Sequence, residues 1–203
     1  VADFKLVTGG SGLAAYMAAR LSGGKKGVNA FTPNKGKTVV LSGSCSVMTN
    51  KQVEKYREKA PHFQLDVEQA IHNENYVEQL YQWVIANLDS EFAPMVYATV
   101  PPDALKTIQH QFGVDQASHA IESTFAKLAD KLKQAGVVNF ITAGGETSSI
   151  VVQELGFTGF HIGKQIAPGV PWLKAVEEDI YLALKSGNFG KDDFFEYAQG
   201  MFV

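Results

Sequence analysis

A single cysteine, Cys45, stands in a chain of 203 residues, so no internal disulfide can form. That usage suits a reducing compartment, and a cytoplasmic location is expected. No apolar run approaches the ~20 residues that a membrane-spanning helix needs, and no signal peptide is legible at the start. Acids are missing from a whole quarter of the chain. Between Asp3 and Glu54 there is none, while Lys5, Arg20, Lys25, Lys26, Lys35, Lys37 and Lys51 are basic. The sequence therefore predicts a positive surface there that suits a polyphosphate, the alternative being a solvated basic face without a ligand. A net charge of −3 argues against nucleic acid or an anionic membrane as the main partner. His62, His72, His110, His119 and His161 show neither H-x3-H nor HExxH spacing, and with no second cysteine no metal-ligand set is assigned.

Apolar content of 45% and charged content of 19% are those of a folded globular chain. The length allows one large domain or two small ones. Val1 to Val7 reads as the edge of a domain already under way, so we expect a portion of a longer polypeptide.

Three glycine- and hydroxyl-rich turns dominate what is there: Thr8-Gly9-Gly10-Ser11-Gly12, Ser42-Gly43-Ser44-Cys45-Ser46 and Thr142-Ala143-Gly144-Gly145-Glu146-Thr147. Each lies where a strand-like run gives way to the next segment. Without a Cβ to block approach, converging backbone N–H groups at such turns make a donor site for phosphate. Three of them point to a nucleotide or another multiply charged ligand.

The reading between the turns is strands at Phe4–Thr8, Thr38–Leu41, Phe63–Leu65, Pro94–Val100 and Val137–Ile141, alternating with helices. A helix start is expected with Thr49 as N-cap and Gln52 at the capping-box position. Tyr76, Leu80, Trp83, Val84 and Leu88 repeat at helical spacing and are core before they are a base-stacking platform. Helices follow over Asp103–Phe112 and Asp115–Gln134, and another runs through Ile150 and Leu155. Ser22 to Gly36 is a loop. Beyond it all, Phe160–Ile166 and Tyr181–Leu184 read as strands joined by Pro168-Gly169-Val170-Pro171, with a closing helix near Asp192–Ala198. The fold class is α/β: a three-layer, mostly parallel sheet covered by helices, with antiparallel strands added from the carboxy-terminal segment. The whole of 1–203 is read as one nucleotide-binding domain.

Familiar motifs fail on inspection. Gly10-Ser11-Gly12-Leu13-Ala14-Ala15 fits G-x-G-x-x-A, yet the acid that an NAD site wants about 20 residues on is absent. Gly36-Lys37-Thr38 resembles the end of a Walker A loop, but its first glycine falls on Phe31 and the triplet precedes its strand. A nucleophile elbow at Ser46 fails because Met48 occupies the second glycine position. Glu146, at a helix start, either favours the helix dipole or serves a magnesium ion through water or a ribose hydroxyl.

Taken together, Gly9-Gly10-Ser11-Gly12-Leu13-Ala14, Gly43-Ser44-Cys45-Ser46 with Thr49 and Gln52, Gly144-Gly145-Glu146-Thr147-Ser148, Ile166-Ala167-Pro168-Gly169-Val170-Pro171-Trp172 and Ala183-Leu184-Lys185-Ser186-Gly187-Asn188-Phe189-Gly190 resemble the carboxy-terminal half of the four-carbon acid sugar kinases. The resemblance implies ATP and Mg²⁺ as cofactors and phosphorylation of a 3-oxo-tetronate, such as 3-dehydro-erythronate, at its terminal hydroxyl. It implies nucleotide contacts at Ser42, Gly144, Gly145, Glu146, Thr147 and Gly187. The sugar acid and the catalytic base would belong to an amino-terminal domain; no Asp-Asp-Phe-Thr-Gly-like motif occurs in this chain, whose Asp192-Asp193 continues into Phe194-Phe195. A homo-oligomer is compatible with this reading. The competing reading is a nucleotide- or anion-binding module without catalysis.

Overall fold

The computed structural model describes residues 4–23 and 30–203. Along the chain the elements are α1 (Ser11–Leu21), β1 (Thr38–Ser42), α2 (Val47–Arg57), β2 (His62–Gln64), α3 (Val67–His72), α4 (Tyr76–Asn87), β3 (Met95–Tyr97), α5 (Pro102–Phe112), α6 (Val114–Gln134), β4 (Asn139–Ala143), α7 (Gly145–Leu155), β5 (Phe160–Ala167), β6 (Val170–Ala175), β7 (Tyr181–Lys185) and α8 (Phe194–Gln199). The strands form one sheet in the order β2-β3-β1-β4-β7-β6-β5. From β2 to β7 neighbouring strands are parallel. β6 and β5 add on antiparallel, as expected of the carboxy-terminal segment.

The alternation of side chains across the pleat divides the core into two layers. Val39, Leu41, Val96, Phe140 and Leu182 face one side, where Leu80 and Val84 of α4, Phe125, Leu128 and Leu132 of α6, and Val151 and Leu155 of α7 cover them. Val40, Met95, Tyr97, Ile141 and Ala183 face the other, under Val53 and Tyr56 of α2 and Phe194, Phe195 and Ala198 of α8. Every residue of β1, β3 and β4 is buried. This is why these strands read as continuous apolar runs, as strands covered on both faces do. Tyr76, Leu80 and Val84 are buried with Trp83 and Tyr81 packed against them, so those aromatics are core.

The connections leaving β1 and β4 diverge: α2 crosses to one face of the sheet and α7 to the other. Adjacent parallel strands whose connections part in this way open a crevice at their carboxyl ends, where α/β proteins bind ligands.

Three expectations are corrected. Phe4–Thr8 forms no strand: residues 4–10 carry no regular structure, and Phe4 and Leu6 are exposed. Their alternating pattern has no partner strand in this sheet. The helix expected to start at Thr49 starts three residues earlier, because Ser46 Oγ accepts the Thr49 amide and is the N-cap. The Pro168–Pro171 stretch is not only a connection. Gly169, at φ +80°, turns the chain into β6, and Pro171 pairs with Gln165 between two register shifts, where a missing N–H is tolerated. A short helix, α3, capped by Asp66 through the amides of Glu68 and Gln69, also went unread. Val1 to Asp3 and residues 24–29 of the Ser22–Gly36 loop, Lys25 and Lys26 among them, lie outside the described residues.

Candidate nucleotide site

At the carboxyl end of β1 the chain enters Gly43-Ser44-Cys45, and at that of β4 it enters Gly144-Gly145. The two turns are laced together. Gly43 and Ser44 both donate their amides to the Ala143 carbonyl at 2.9 and 3.0 Å, and Gly144 donates to the Lys185 carbonyl at 2.8 Å. These three amides are therefore spent on structure, contrary to the expectation that each turn offers its own donors. The amides of Gly145, Glu146 and Thr147 open α7 and meet no acceptor among the described residues. They are the first-turn N–H groups that a helix cannot satisfy internally, and with the helix dipole they favour an anion.

Gly144 adopts φ +127°, and a Cβ there would meet the Ser44 amide at 3.2 Å. Only glycine permits the two turns to lie this close. Around Gly145 the Cβ direction is open for 4 Å, and both Gly145 and Glu146 are exposed. That open side faces a cleft of about 430 Å³. Its floor is Gly43 to Cys45 with Gly144 to Thr147, and its walls come from Ala98 and Val100 after β3, from α5 and from the first turns of α6.

Ser42 is wholly buried and shares a 2.7 Å hydrogen bond with Thr99 Oγ1, which joins the end of β1 to the chain after β3. Its hydroxyl shapes the floor from beneath. Thr147 is buried as well, while Ser148 shares a 2.8 Å hydrogen bond with Thr142. Gly187 enters from a third turn: a Cβ there would stand 2.9 Å from Ser44 Oγ and 3.0 Å from Ser46 Oγ. Ser42, Gly144, Gly145, Glu146, Thr147 and Gly187 thus come together at one end of the sheet, although they lie on three separate segments.

The first glycine turn does not join them. Gly10 precedes α1, which contributes to neither core layer, and no residue of Thr8–Gly12 lines the cleft. Two members of the basic quarter, Lys35 and Lys37, lie elsewhere, while Lys51 of α2 lines a neighbouring cleft beside Cys45. Lys35 and Lys37 line a larger cleft of about 650 Å³ at the amino end of β1, together with Asp89, Glu91 and Glu196. Six residues of extended chain put Lys37 roughly 20 Å from Gly43. That cleft has mixed charge and lies at the wrong end of the strands for an α/β ligand site.

What the sequence reading missed is Lys185. It closes β7 with no exposed surface. Its ammonium donates to Thr49 Oγ1 at 2.9 Å, to the Ser186 carbonyl at 3.2 Å and to the Gly187 carbonyl at 2.8 Å. Thr49 also donates to the Gly187 carbonyl at 2.8 Å, and Gln52 Nε2 donates to the carbonyls of Phe189 and Lys191. Thr49 and Gln52, both fully buried, are thus the anchors of the 186–191 turn and not a capping pair. Among the described residues no carboxylate pairs with Lys185.

Burial pushes the Lys185 ammonium down to about 8. The folded chain therefore releases this proton before the unfolded chain does, and stability should rise with pH from about 8 toward the usual lysine range. The rise is on the order of 3 kcal/mol if complete. Burial raises the Tyr56 hydroxyl, which works in the opposite direction above pH 10. Denaturant titrations of wild type and Lys185→Met between pH 7.5 and 9.5 should show the rise only in wild type. Equal slopes in both would mean that Lys185 keeps its proton throughout.

Cys45 lines the cleft, but burial raises its thiol, so it is a packing group at neutral pH and no nucleophile. Asp192 is paired with Lys55 at 3.2 Å, and Asp193 opens α8; neither lines the cleft.

Comparisons with known proteins show the family of this chain. A family model described as the nucleotide-binding C-terminal domain matches residues 39–195. The chain is 94% identical over 203 residues to a 3-oxo-tetronate kinase from Haemophilus influenzae, and 84% identical over 203 residues to one from Actinobacillus succinogenes. In both cases all of this chain is covered and 49% of the relative. The chain thus spans about half the length of the curated relatives it matches, and it matches their carboxy-terminal half. A crystal structure of a Haemophilus influenzae protein superposes with a TM-score of 0.89 at 94% identity, covering 100% of this chain and 49% of that one.

Proposed function

We infer, since the chain belongs to the nucleotide-binding C-terminal domain family, that it is the ATP-binding domain of a kinase acting on a four-carbon sugar acid. The acceptor is a 3-oxo-tetronate such as 3-dehydro-erythronate, phosphorylated at its terminal hydroxyl in the reducing cytoplasm. One observation carries the reading: the unpaired amides of Gly145, Glu146 and Thr147 open onto a cleft whose far wall is apolar. That is the shape of a site for a polyphosphate joined to a base.

In this reading the three amides hold phosphate oxygens, and the Ser42–Thr99 bond and the Gly187 turn fix the frame around them. Phosphoryl transfer is chiefly positioning and charge stabilisation, and rigid backbone donors supply both. Mg²⁺ fits the donor set. It keeps waters and phosphate oxygens in its shell and asks the protein for one or two carboxylates, a role open to Glu146, exposed at the mouth of α7. Among the described residues no cluster of three metal-ligating side chains exists. Bound Mg²⁺ would neutralise phosphate charge.

The test is thermal. At a hundredfold excess over Kd, ATP should stabilise the chain by about 2.7 kcal/mol, which is a rise in Tm of about 5–10 °C for a chain of this size. NAD should give none, because the acid that a G-x-G-x-x-A dinucleotide fold needs about 20 residues on is absent and Gly10 to Ala15 line no part of the cleft. Absence of any shift with millimolar ATP or ADP would remove this function.

A further inference from the structure

The half of the cleft remote from Gly145 has a composition of its own. Its walls are Val100, Leu105, Ile108, Val114, Ala117 and Ile121, contributed by the segment after β3, by α5 and by α6. Into this apolar slot the structure places two neutral polar side chains, Gln109 of α5 and Ser118 of α6. Both are half-buried, and among the described residues neither side chain has a hydrogen-bond partner. The setting of α5 is equally specific. It is strongly amphipathic yet contributes no fully buried residue, it begins at Pro101-Pro102, and it ends at Gly113 with φ +82°. Its apolar face, carrying Leu105 and Ile108, lines the cleft and packs on α6.

We propose that this slot between α5 and α6 is the base subsite, that its occupant is an adenine ring, and that Gln109 and Ser118 determine base specificity. The proposal rests on the nucleotide reading above and adds where the base lies and what reads it. The carboxamide of Gln109 presents one acceptor and two donors side by side, which complements the adjacent amino donor and ring-nitrogen acceptor of adenine. The hydroxyl of Ser118 can donate or accept at a second edge atom. The adjacent N1–H and amino donors that distinguish guanine are best met by a carboxylate, and none lines this half of the cleft. The walls supply apolar faces for a flat heterocycle, and the amides of Gly145 to Thr147 at the other end receive its phosphates. Gln109 and Ser118, half-buried and without a partner among the described residues, are free to bond a base in the slot.

The experiment compares ATP, GTP and inorganic tripolyphosphate, which lacks a base, by calorimetric titration of wild type, Gln109→Ala and Ser118→Ala. Since α5 has no buried residue, Gln109→Ala should leave the fold intact. Wild type should prefer ATP to GTP by at least about tenfold, the worth of one good bidentate contact. Gln109→Ala should weaken ATP about tenfold, leave tripolyphosphate unchanged and narrow the ATP-to-GTP ratio; Ser118→Ala should do the same to a smaller degree. Unchanged ATP affinity in Gln109→Ala, or equal losses for ATP and tripolyphosphate, overturns the base slot while the nucleotide reading stands. A wild type that binds neither ATP nor tripolyphosphate overturns both.

Discussion

Replacing Gly145 by valine should abolish ATP binding while leaving the fold in place. The Cβ direction at this glycine points into open space, so nothing in the protein resists the larger side chain. The isopropyl group would instead occupy the approach to the amides of Gly145 to Thr147. Losing two charge-assisted hydrogen bonds, at about 1.5–3 kcal/mol each, lowers affinity by more than about a hundredfold. Circular dichroism should show the wild-type spectrum and a Tm within a few degrees of the wild-type value. Retained affinity would mean that the turn only starts a helix. Gly144→Val is the contrasting variant: at φ +127° and 3.2 Å from the Ser44 amide it should destabilise the domain itself.

The second large effect concerns catalysis. The 203-residue chain should bind nucleotide and yet transfer phosphate to 3-oxo-tetronates at a negligible rate. A general base must lie within about 2.6–3.2 Å of the acceptor hydroxyl, or one water away, and typically contributes 10²–10⁴-fold. The acid at the cleft is Glu146, already placed at the phosphate end, while Asp192 is tied to Lys55 and Asp193 sits at the start of α8. Supplying the amino-terminal half of a relative, fused or added in trans, should raise turnover by at least about a hundredfold. Such a partner would also exclude water from the terminal phosphate. Full activity of the chain alone would return the search for a base to Glu146, Asp192 and Asp193. Inactivity that persists with the other half present would favour a binding module without catalysis.

The parallel core was legible because burial on both faces leaves its mark in sequence as largely apolar runs: Thr38 to Leu41, Pro94 to Val100 and Val137 to Ile141 announced β1, β3 and β4. Strand β6 hid behind Pro168 and Pro171, residues that ordinarily end strands but here flank a tight turn and sit in an irregular register. The glycines of two turns were readable as places of close backbone approach because backbone access is a local property. Which amides remain free was not readable, since that depends on β1 and β4 being neighbours and on Ala143 and Lys185 offering their carbonyls. Lys185 stayed invisible for a related reason: a lysine ending a strand reads as solvated until Thr49 and the Gly187 carbonyl are found around it. Lys35 and Lys37 misled because charge counted along the chain does not say which end of a strand it reaches; Lys37 and Gly43 bracket the same strand from opposite ends. Gln109 and Ser118 acquire meaning only when α5 folds beside α6.

The central claim is a location, and amide chemical-shift mapping tests it most directly. In ¹⁵N-labelled chain titrated with ATP and Mg²⁺, the largest perturbations should fall on Gly145, Glu146 and Thr147, with further shifts at Ser44 and Gly187 and along the Leu105–Gln109 face of α5. Perturbations concentrated instead on Lys35 to Lys37 and Glu91, at the amino end of the sheet, or on Gly9 to Gly12, would contradict the account.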